Sequence, residues 1–542
     1  WMALAVFATV GGAMVAADPA FAKTDVDKLT IGGEARVRYE VRTNASFTQN
    51  SGGAVVKSNE SLASSRIRFN VGYDLTPDVT FFAQLQDARN WGSEGFNNTA
   101  ATGIQAVSQT NSSQTGIDLH QGYIMLKNVL TPGLSLKLGR QEIIFGDHRL
   151  FGNFGWSQVG NSFDAVRATH STQLMDVDLF WARIFDSEGL GNQAGNGNNI
   201  KFPAAAGAGA DAGGTGTQDQ DIYGLYVTLK PVKNWTIEPY YFLLSDARAL
   251  GSATFNSSLV QAQTQGQTRS TLGGRINGKA GGLDFTAESA WQFGSIASQC
   301  GRGSLATCAV TAGSSGMPSG NGSRDLRINA HAEAVKIGYT FDAVPMKPRL
   351  GFEFDYASGD GDNNKAGGAQ FGNYNTFDNL FPTNHFHYGY MDMMAWRNMV
   401  NYNFSFDVKP SPISKLQFNF IIHRLAQSQD NWYRAGQAVY ATSSAENREA
   451  SLGQELDVHY WHTFKEKFKF EIGYGHFFAG AYLDKTANSN TSCTAVAGQA
   501  GLNAGAGLCQ GATTLNGTAN AIGAQSTVND QNWGYVMGSI LF

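Results

Sequence analysis

The most constraining feature of this chain is a two-residue alternation that continues too long for an ordinary strand. In Lys28–Arg42, KLTIGGEARVRYEVR, Ile31, Ala35, Val37, Tyr39 and Val41 fall on one face. Thr30, Glu34, Arg36, Arg38, Glu40 and Arg42 fall on the other. Side chains of a strand alternate between its two faces, so this segment is apolar on one side and ionic on the other. The pattern returns in Ser65–Leu75, where Ile67, Phe69, Val71 and Tyr73 oppose Arg66, Arg68, Asn70 and Asp74. It returns again in Leu283–Phe293 and in Arg349–Ala357, the latter with Leu350, Phe352, Phe354 and Tyr356 opposing Arg349, Glu353 and Asp355. A soluble strand averages about five or six residues, whereas about 9–11 tilted residues cross a bilayer. These runs have the length of the second kind. The charged face must then look inward, because a lipid-facing arginine near the midplane costs about 2–4 kcal/mol.

The connections give an independent signal. Short links at 76–78, 129–133, 171–173, 231–234, 278–282, 343–348, 409–414 and 464–466 alternate with long polar ones at 43–62, 92–116, 145–162, 186–219, 250–267, 296–325, 358–395, 427–448 and 481–529. Short turns on one side of the membrane and long loops on the other are the order of an outer-membrane barrel. The count predicts one all-β, transmembrane antiparallel barrel of about 18 strands over residues 23–542, or 16 if the weak segments near 119–128 and 163–170 are loop structure. Composition agrees: only 15% of residues are charged, 12% are aromatic, and Gly (64) far outnumbers Pro (12). Such a chain is β-rich. A net charge of −5 is too mild to indicate a nucleic-acid partner.

Residues 1–22 read as a secretory signal peptide, an apolar run from Ala3 to Ala17 followed by Ala20-Phe21-Ala22. Cys300 with Cys308 and Cys493 with Cys509 are close in sequence within polar segments. Two local disulfides are the simplest of the three possible connectivities in an oxidising compartment. The last strand, Asn532–Phe542, puts Val536, Ile540 and Phe542 on one face and looks like an outer-membrane assembly signal. The expected location is the bacterial outer membrane, with the lipid bilayer and lipopolysaccharide as surroundings.

No catalytic signature emerges, so the protein is not expected to be an enzyme. His385 and His387 share a side of their segment but lack a fixed third ligand. Asp360, Asp362 and Asn364 in YASGDGDNNKAGG resemble a calcium-binding turn without the acidic twelfth position of an EF-hand, which makes a structural calcium in loop 358–395 the only cofactor to consider. The recurring polar feature is inward arginine: Arg36, Arg38, Arg66 and Arg68, with Arg140, Arg167, Arg275, Arg327, Arg349 and Arg424 assigned to the same face. Carboxylates accompany them, which suits a ladder of cross-strand ion pairs. Where a pore is narrow, unpaired arginines would instead select anions.

The stretch LGRQEIIFGDHRLFGNFGWSQVGNSFDAVR, together with YASGDGDNN, NTFDNLFPTNHFHYGYMD, SFDVKP, LGQELDVHYWHTF and GYGHFFAG, resembles the alginate-export family of outer-membrane barrels. The resemblance runs from about Leu134 to Phe542. It implies an 18-stranded monomeric barrel with an electropositive lumen that passes an anionic polysaccharide, and loops that restrict the pore. Carried over by position, the site residues are Arg140, Glu142, Asp147, Arg149, Asp164 and Arg167, then Glu455 and Asp457. The long low-complexity loops and the cysteine pairs look like additions to that pattern. The leading expectation is a channel for anionic solutes. The competing readings are an unselective porin for sugars or other small nutrients, and a barrel that scaffolds a periplasmic or other protein partner.

One loop stands apart. Residues 145–162 carry Phe145, Phe151, Phe154 and Trp156 beside Asp147 and Arg149, too aromatic for a solvated connection. Counted from a periplasmic N-terminus it is the third extracellular loop. It is expected to fold into the barrel mouth, with Arg149 near the narrowest point and Trp156 facing the pore; the alternative is that Phe151, Phe154 and Trp156 pack against neighbouring outer loops.

Overall fold

A computed structural model describes residues 26–45, 47, 50–51, 54–55, 59–91, 117–185, 219–246, 267–296, 326–361, 373–437, 439–441, 448–488 and 528–542. The signal-peptide segment, all four cysteines, Asp362 and Asn364 lie outside these residues.

The barrel wall has eighteen antiparallel strands. They are β1 (Leu29–Thr43), β2 (Glu60–Thr76), β3 (Val79–Asn90), β4 (Ile117–Leu126), β5 (Leu134–Gln141), β6 (Phe163–Ser171), β7 (Met175–Phe185), β8 (Gln220–Val232) and β9 (Trp235–Asp246). The second half is β10 (Gln267–Ala280), β11 (Leu283–Ile296), β12 (Leu326–Thr340), β13 (Arg349–Ala357), β14 (Met399–Ser411), β15 (Ser414–Arg424), β16 (Ser451–Phe464), β17 (Phe468–Ala479) and β18 (Gln531–Leu541). Each pairs with its sequence neighbours, and β1 pairs with both β2 and β18, which closes the ring. Closure leaves no strand edge with unsatisfied backbone groups, the condition for a sheet to sit in hydrocarbon. The two weak segments are real strands, β4 and β6, which decides for 18 over 16. The alternation of β4 is blurred because that strand is irregular: the β3–β4 register shifts between Gln84 and Leu85, and His120 and Gln121 both contact inward side chains.

The two faces separate as alternation requires. On β1, Arg36, Arg38 and Glu40 are buried while Val37, Tyr39 and Val41 are exposed. Around the ring the outer surface shows Ile67, Leu85, Leu179, Trp291, Phe404 and Ile472. So large an apolar belt is a lipid-contact surface. No helix among the described residues is long and apolar enough to cross a membrane, so the strands alone span it. The buried apolar residues lie inside the ring, where inward residues of the wall meet the long loops. One element was unforeseen: the loop after β17 begins with a short helix, Ala481–Asn488, whose Tyr482 and Leu483 join that interior.

Leu179 sits mid-strand on the outer face of β7. Leu179→Arg is expected to destabilise the folded barrel by about 2–4 kcal/mol in urea-dependent refolding into phospholipid vesicles. A loss within error would show that this face does not contact hydrocarbon.

Candidate functional site: a plug held across the lumen

The third loop, residues 142–162 (L3), enters the barrel and crosses it. Four arginines of β1 and β2 take hold of its far part. Arg36 donates to Gln158 Oε1 (2.8 Å) and to the carbonyls of Gly155 (2.7 Å), Trp156 (3.2 Å) and Ser157 (2.8 Å). Arg38 donates to the Trp156 carbonyl (2.5 Å) and lies 3.8 Å over the Trp156 ring, with Glu40 as its ion pair. Arg66 reaches the Ser157 carbonyl (3.0 Å) and pairs with Glu34 (2.7 Å). Arg68 meets the Val159 carbonyl (3.5 Å), Gln86 (2.7 Å), His120 (3.0 Å) and Glu142 (3.4 Å). An inward arginine whose water is displaced must find acceptors, and the loop backbone supplies them.

The near part of L3 is fixed on the opposite wall. Arg149 is fully buried, donates to Asp355 (2.7 Å), Tyr388 Oη (2.7 Å) and Glu353, and stands 4.0 Å from Glu288. Asp147 pairs with Arg275, which also holds Glu238 at 2.6 Å. Arg275 is on β10, nine strands from β1 in a ring of eighteen, so L3 runs from one wall to the diametrically opposite one. Just before Asp147, Phe145 stacks on Tyr226 of β8 (4.4 Å), and between the two anchors Phe151 packs on Phe163, Phe180 and Phe242. These rings contact walls and loops inside the barrel, which is why the loop could be so aromatic.

The seventh loop, residues 358–398 (L7), completes the plug. Its Phe381 and Thr383 amides donate to the Leu150 and His148 carbonyls, and Gly152 N donates to the Phe381 carbonyl. Its His385 ring stacks on Trp156 at 4.0 Å and bonds Asp392 (2.8 Å). On the wall, Glu455 accepts from Met391 N (2.9 Å) and Asp457 from Tyr390 N (3.2 Å). Gly389 has φ +97°, and a Cβ there would overlap the Glu455 carboxylate, so only glycine lets the backbone come this close. From Arg38 on β1 to Tyr535 on β18, every strand has at least one buried inward side chain. L3 and L7 account for part of that burial, and Trp432, Tyr440 and Tyr482 from later loops share the interior.

Glu142, Asp147, Arg149 and Trp156 are therefore interior plug residues, and Arg36, Arg38, Arg66 and Arg68 are the wall that receives them. Glu455 and Asp457 anchor L7. Arg167 faces inward, paired with Asp178 (2.8 Å) and 5.1 Å over the Phe145 ring. Arg140 and Asp164 require correction. They pair with each other (3.2 Å) on the outer wall, because Arg140 continues the face of Leu136 and Leu138, and Asp164 lies between inward Phe163 and Ala165. Arg327 and Arg424 also turn outward, each beside buried inward neighbours, Ile328 and His423. All four sit at extracellular strand ends, where an outward charge meets polar surroundings rather than hydrocarbon. His385 and His387 do not converge: His387 bonds the Asp147 carbonyl (2.6 Å) and faces Glu353 (3.4 Å). Asp360 accepts from Asn375 N, and its own amide donates to Asp430. Sequence reasoning missed His120, Gln158 and Tyr388. The first sits in the irregular strand, and the other two lie in loops where no alternation marks direction.

The loop carboxylates couple the plug to pH. Burial pushes Asp147 upward, but Arg275, then His387 and Arg149, bring it below its ordinary value. Burial likewise raises Glu142, and its His120 hydrogen bond and Arg68 outweigh it. A carboxylate with a depressed folded pKa stabilises fully above its unfolded value of about 4, and that stability is lost as pH falls through the folded value. Protonation of Asp147 and Glu142 is thus expected to loosen L3, read as a rise in bilayer conductance, as pH falls below about 4. A conductance that stays flat through that range would contradict these pairings. Arg149→Met leaves Asp355 without its buried cation, and Glu353 with only Lys336 and His387, and is expected to cost about 3–5 kcal/mol in detergent unfolding. A change within error would show that the cluster does not hold the loop.

The alginate export family matches residues 27–189 and 208–496. A search of curated proteins returns no match. Among solved structures, OccAB1 of Acinetobacter baumannii is similar at 11% identity and TM-score 0.50, covering 97% of this chain and 99% of that one. The outer membrane protein OprD of Pseudomonas aeruginosa is similar at 9% identity and TM-score 0.49, covering 97% of each chain. With its closed eighteen-strand barrel and a family match over most of its length, this chain belongs to the alginate export family and is a porin-like barrel of the bacterial outer membrane.

Proposed function

We propose that the protein is a plugged outer-membrane channel that favours anions, with an acidic polysaccharide as the cargo class. Its family and fold are those of channels rather than enzymes. The finer reading draws on one observation, the way charge meets water at the inner-wall cations that do not hydrogen-bond L3. In most of their ion pairs among the described residues, the cation is the more exposed partner. Lys336 is 37% exposed against 5% for Glu353, and Lys415 38% against 11% for Asp407. Arg167 and Lys230 exceed Asp178 and Asp176 in the same sense. Arg349 with Asp284 runs the other way. A solute on this wall meets ammonium and guanidinium groups first, while the balancing carboxylates lie beneath them. A field of that sign raises the local concentration of anions.

The four arginines under L3 do not supply this selectivity while the plug is seated, since they are buried against the loop. Lys336 and Lys415 are therefore the groups to reverse. Reversal potentials across a planar bilayer under a KCl gradient are expected to show anion preference, and Lys336→Glu with Lys415→Glu to diminish or invert it. Cation selectivity of the unaltered protein would refute the proposal.

A further inference from the structure

The arginine patch on β1 and β2 is built in a way that the wall alone does not stabilise. Arg36 stands directly opposite Arg66 in the strand register, with Arg38 and Arg68 two residues along on either strand. Like charges directly across a ladder repel. Among the described residues, Arg36 has no carboxylate within ion-pair distance. Its acceptors are one amide oxygen and three backbone carbonyls. Arg66 Nε is buried without an acceptor. The patch faces Glu34, Glu40 and Glu142, which pair with Arg66, Arg38 and Arg68. Glu471 of β17, Tyr535 of β18 and His120 of β4 also lie close to it.

What covers the patch is a row of carbonyl oxygens from Gly155, Trp156, Ser157 and Val159, four acceptors within five residues. The row lies between two left-handed backbone positions, Phe154 (φ 47°) and Gly160 (φ +75°). A Cβ on Gly160 would come within 3.0 Å of Arg68 Nη2. The loop is shaped to present neutral oxygens, closely spaced, to four guanidinium groups. A carboxylate is a better acceptor for the same donors, because the bond is charge-assisted and bidentate.

We propose that the 155–159 carbonyl row is a built-in surrogate for the carboxylates of an acidic oligosaccharide. It occupies a four-arginine binding site on β1 and β2, and the ligand opens the plug by displacing it. The inference rests on the anion-channel reading and adds the place where the anion competes with the protein's own backbone. The exchange makes no covalent bond. Loop carbonyls leave the guanidinium groups for water, and ligand carboxylates take their positions. L3 keeps its second anchor at Arg149, so it swings from the β1–β2 side and is not expelled. Ligand binding and seating of the loop are then mutually exclusive, and each weakens the other by the same factor.

Ser64 and Gln158 give a test, since Gln158 Nε2 donates to Ser64 Oγ at 2.8 Å and joins the loop to the patch. In a background with Cys300, Cys308, Cys493 and Cys509 changed to serine, Ser64→Cys and Gln158→Cys can be bridged by a short bis-methanethiosulfonate reagent and released by reductant. Calorimetric titration of the detergent-solubilised barrel with tetragalacturonate is expected to show binding in the unbridged protein. Binding should be lost on bridging and recovered on reduction, and maltotetraose should not bind in any state. Arg36→Gln without the bridge is expected to weaken tetragalacturonate binding. Equal binding by bridged and unbridged protein would overturn the proposal, as would no binding in either. Reversal potentials of the unbridged variant separate this from the broader reading: anion preference with bridge-independent binding leaves the channel and removes the surrogate, whereas cation preference removes both.

Discussion

Everything inside this barrel follows from one constraint: an arginine that cannot face lipid must point inward, and once water is displaced there it must find an acceptor. The outer belt demands apolar side chains at alternate positions, which sends Arg36, Arg38, Arg66 and Arg68 into the lumen. A ring of eighteen strands is wide enough to leave these groups in water. Instead L3 and L7 fold in and take them. Burying a cation is costly unless it is fully hydrogen-bonded, so the same contacts that satisfy the arginines fix the path of the loop.

The two ends of L3 are held by different chemistry. On β1 and β2 the 155–159 part of the loop offers backbone carbonyls to wall cations, with Glu142 reaching Arg68, whereas on β11 and β13 the loop offers the Arg149 cation to wall carboxylates. Neutral acceptors can be exchanged for stronger ones, while a guanidinium set between Asp355 and Glu353 has no better alternative at hand. That asymmetry makes one end a latch and the other a hinge. L7 stiffens the assembly, since the Trp156–His385 stack and the backbone bonds near Phe381 join the loops before either meets the wall. Movement of L3 therefore has to break or carry those contacts.

Much of this was legible in the chain. Alternation in β1, β2, β11 and β13 assigned the inner and outer faces correctly, because one face had to be apolar over its whole length. The aromatic content of 145–162 correctly indicated that the loop packs inward. Legibility failed where alternation is weak or irrelevant. Arg140 was assigned to the lumen although it shares a face with Leu136 and Leu138; a charge at the extracellular end needs no inward shelter. His120 was hidden by the irregularity of β4. The part played by L7 was not foreseen, since a loop's direction depends on distant partners such as Glu455 and Asp457 rather than on its own periodicity.

L3 bridges opposite walls of the lumen. The decisive measurement is the single-channel conductance of the barrel lacking residues 147–156, compared with the full chain in the same bilayer and salt. A markedly larger unitary conductance is expected for the shortened barrel, because the deletion removes Arg149, Phe151 and Trp156 and with them the bridge between opposite walls. An unchanged conductance would refute the bridge and leave the loop a clasp among the outer connections.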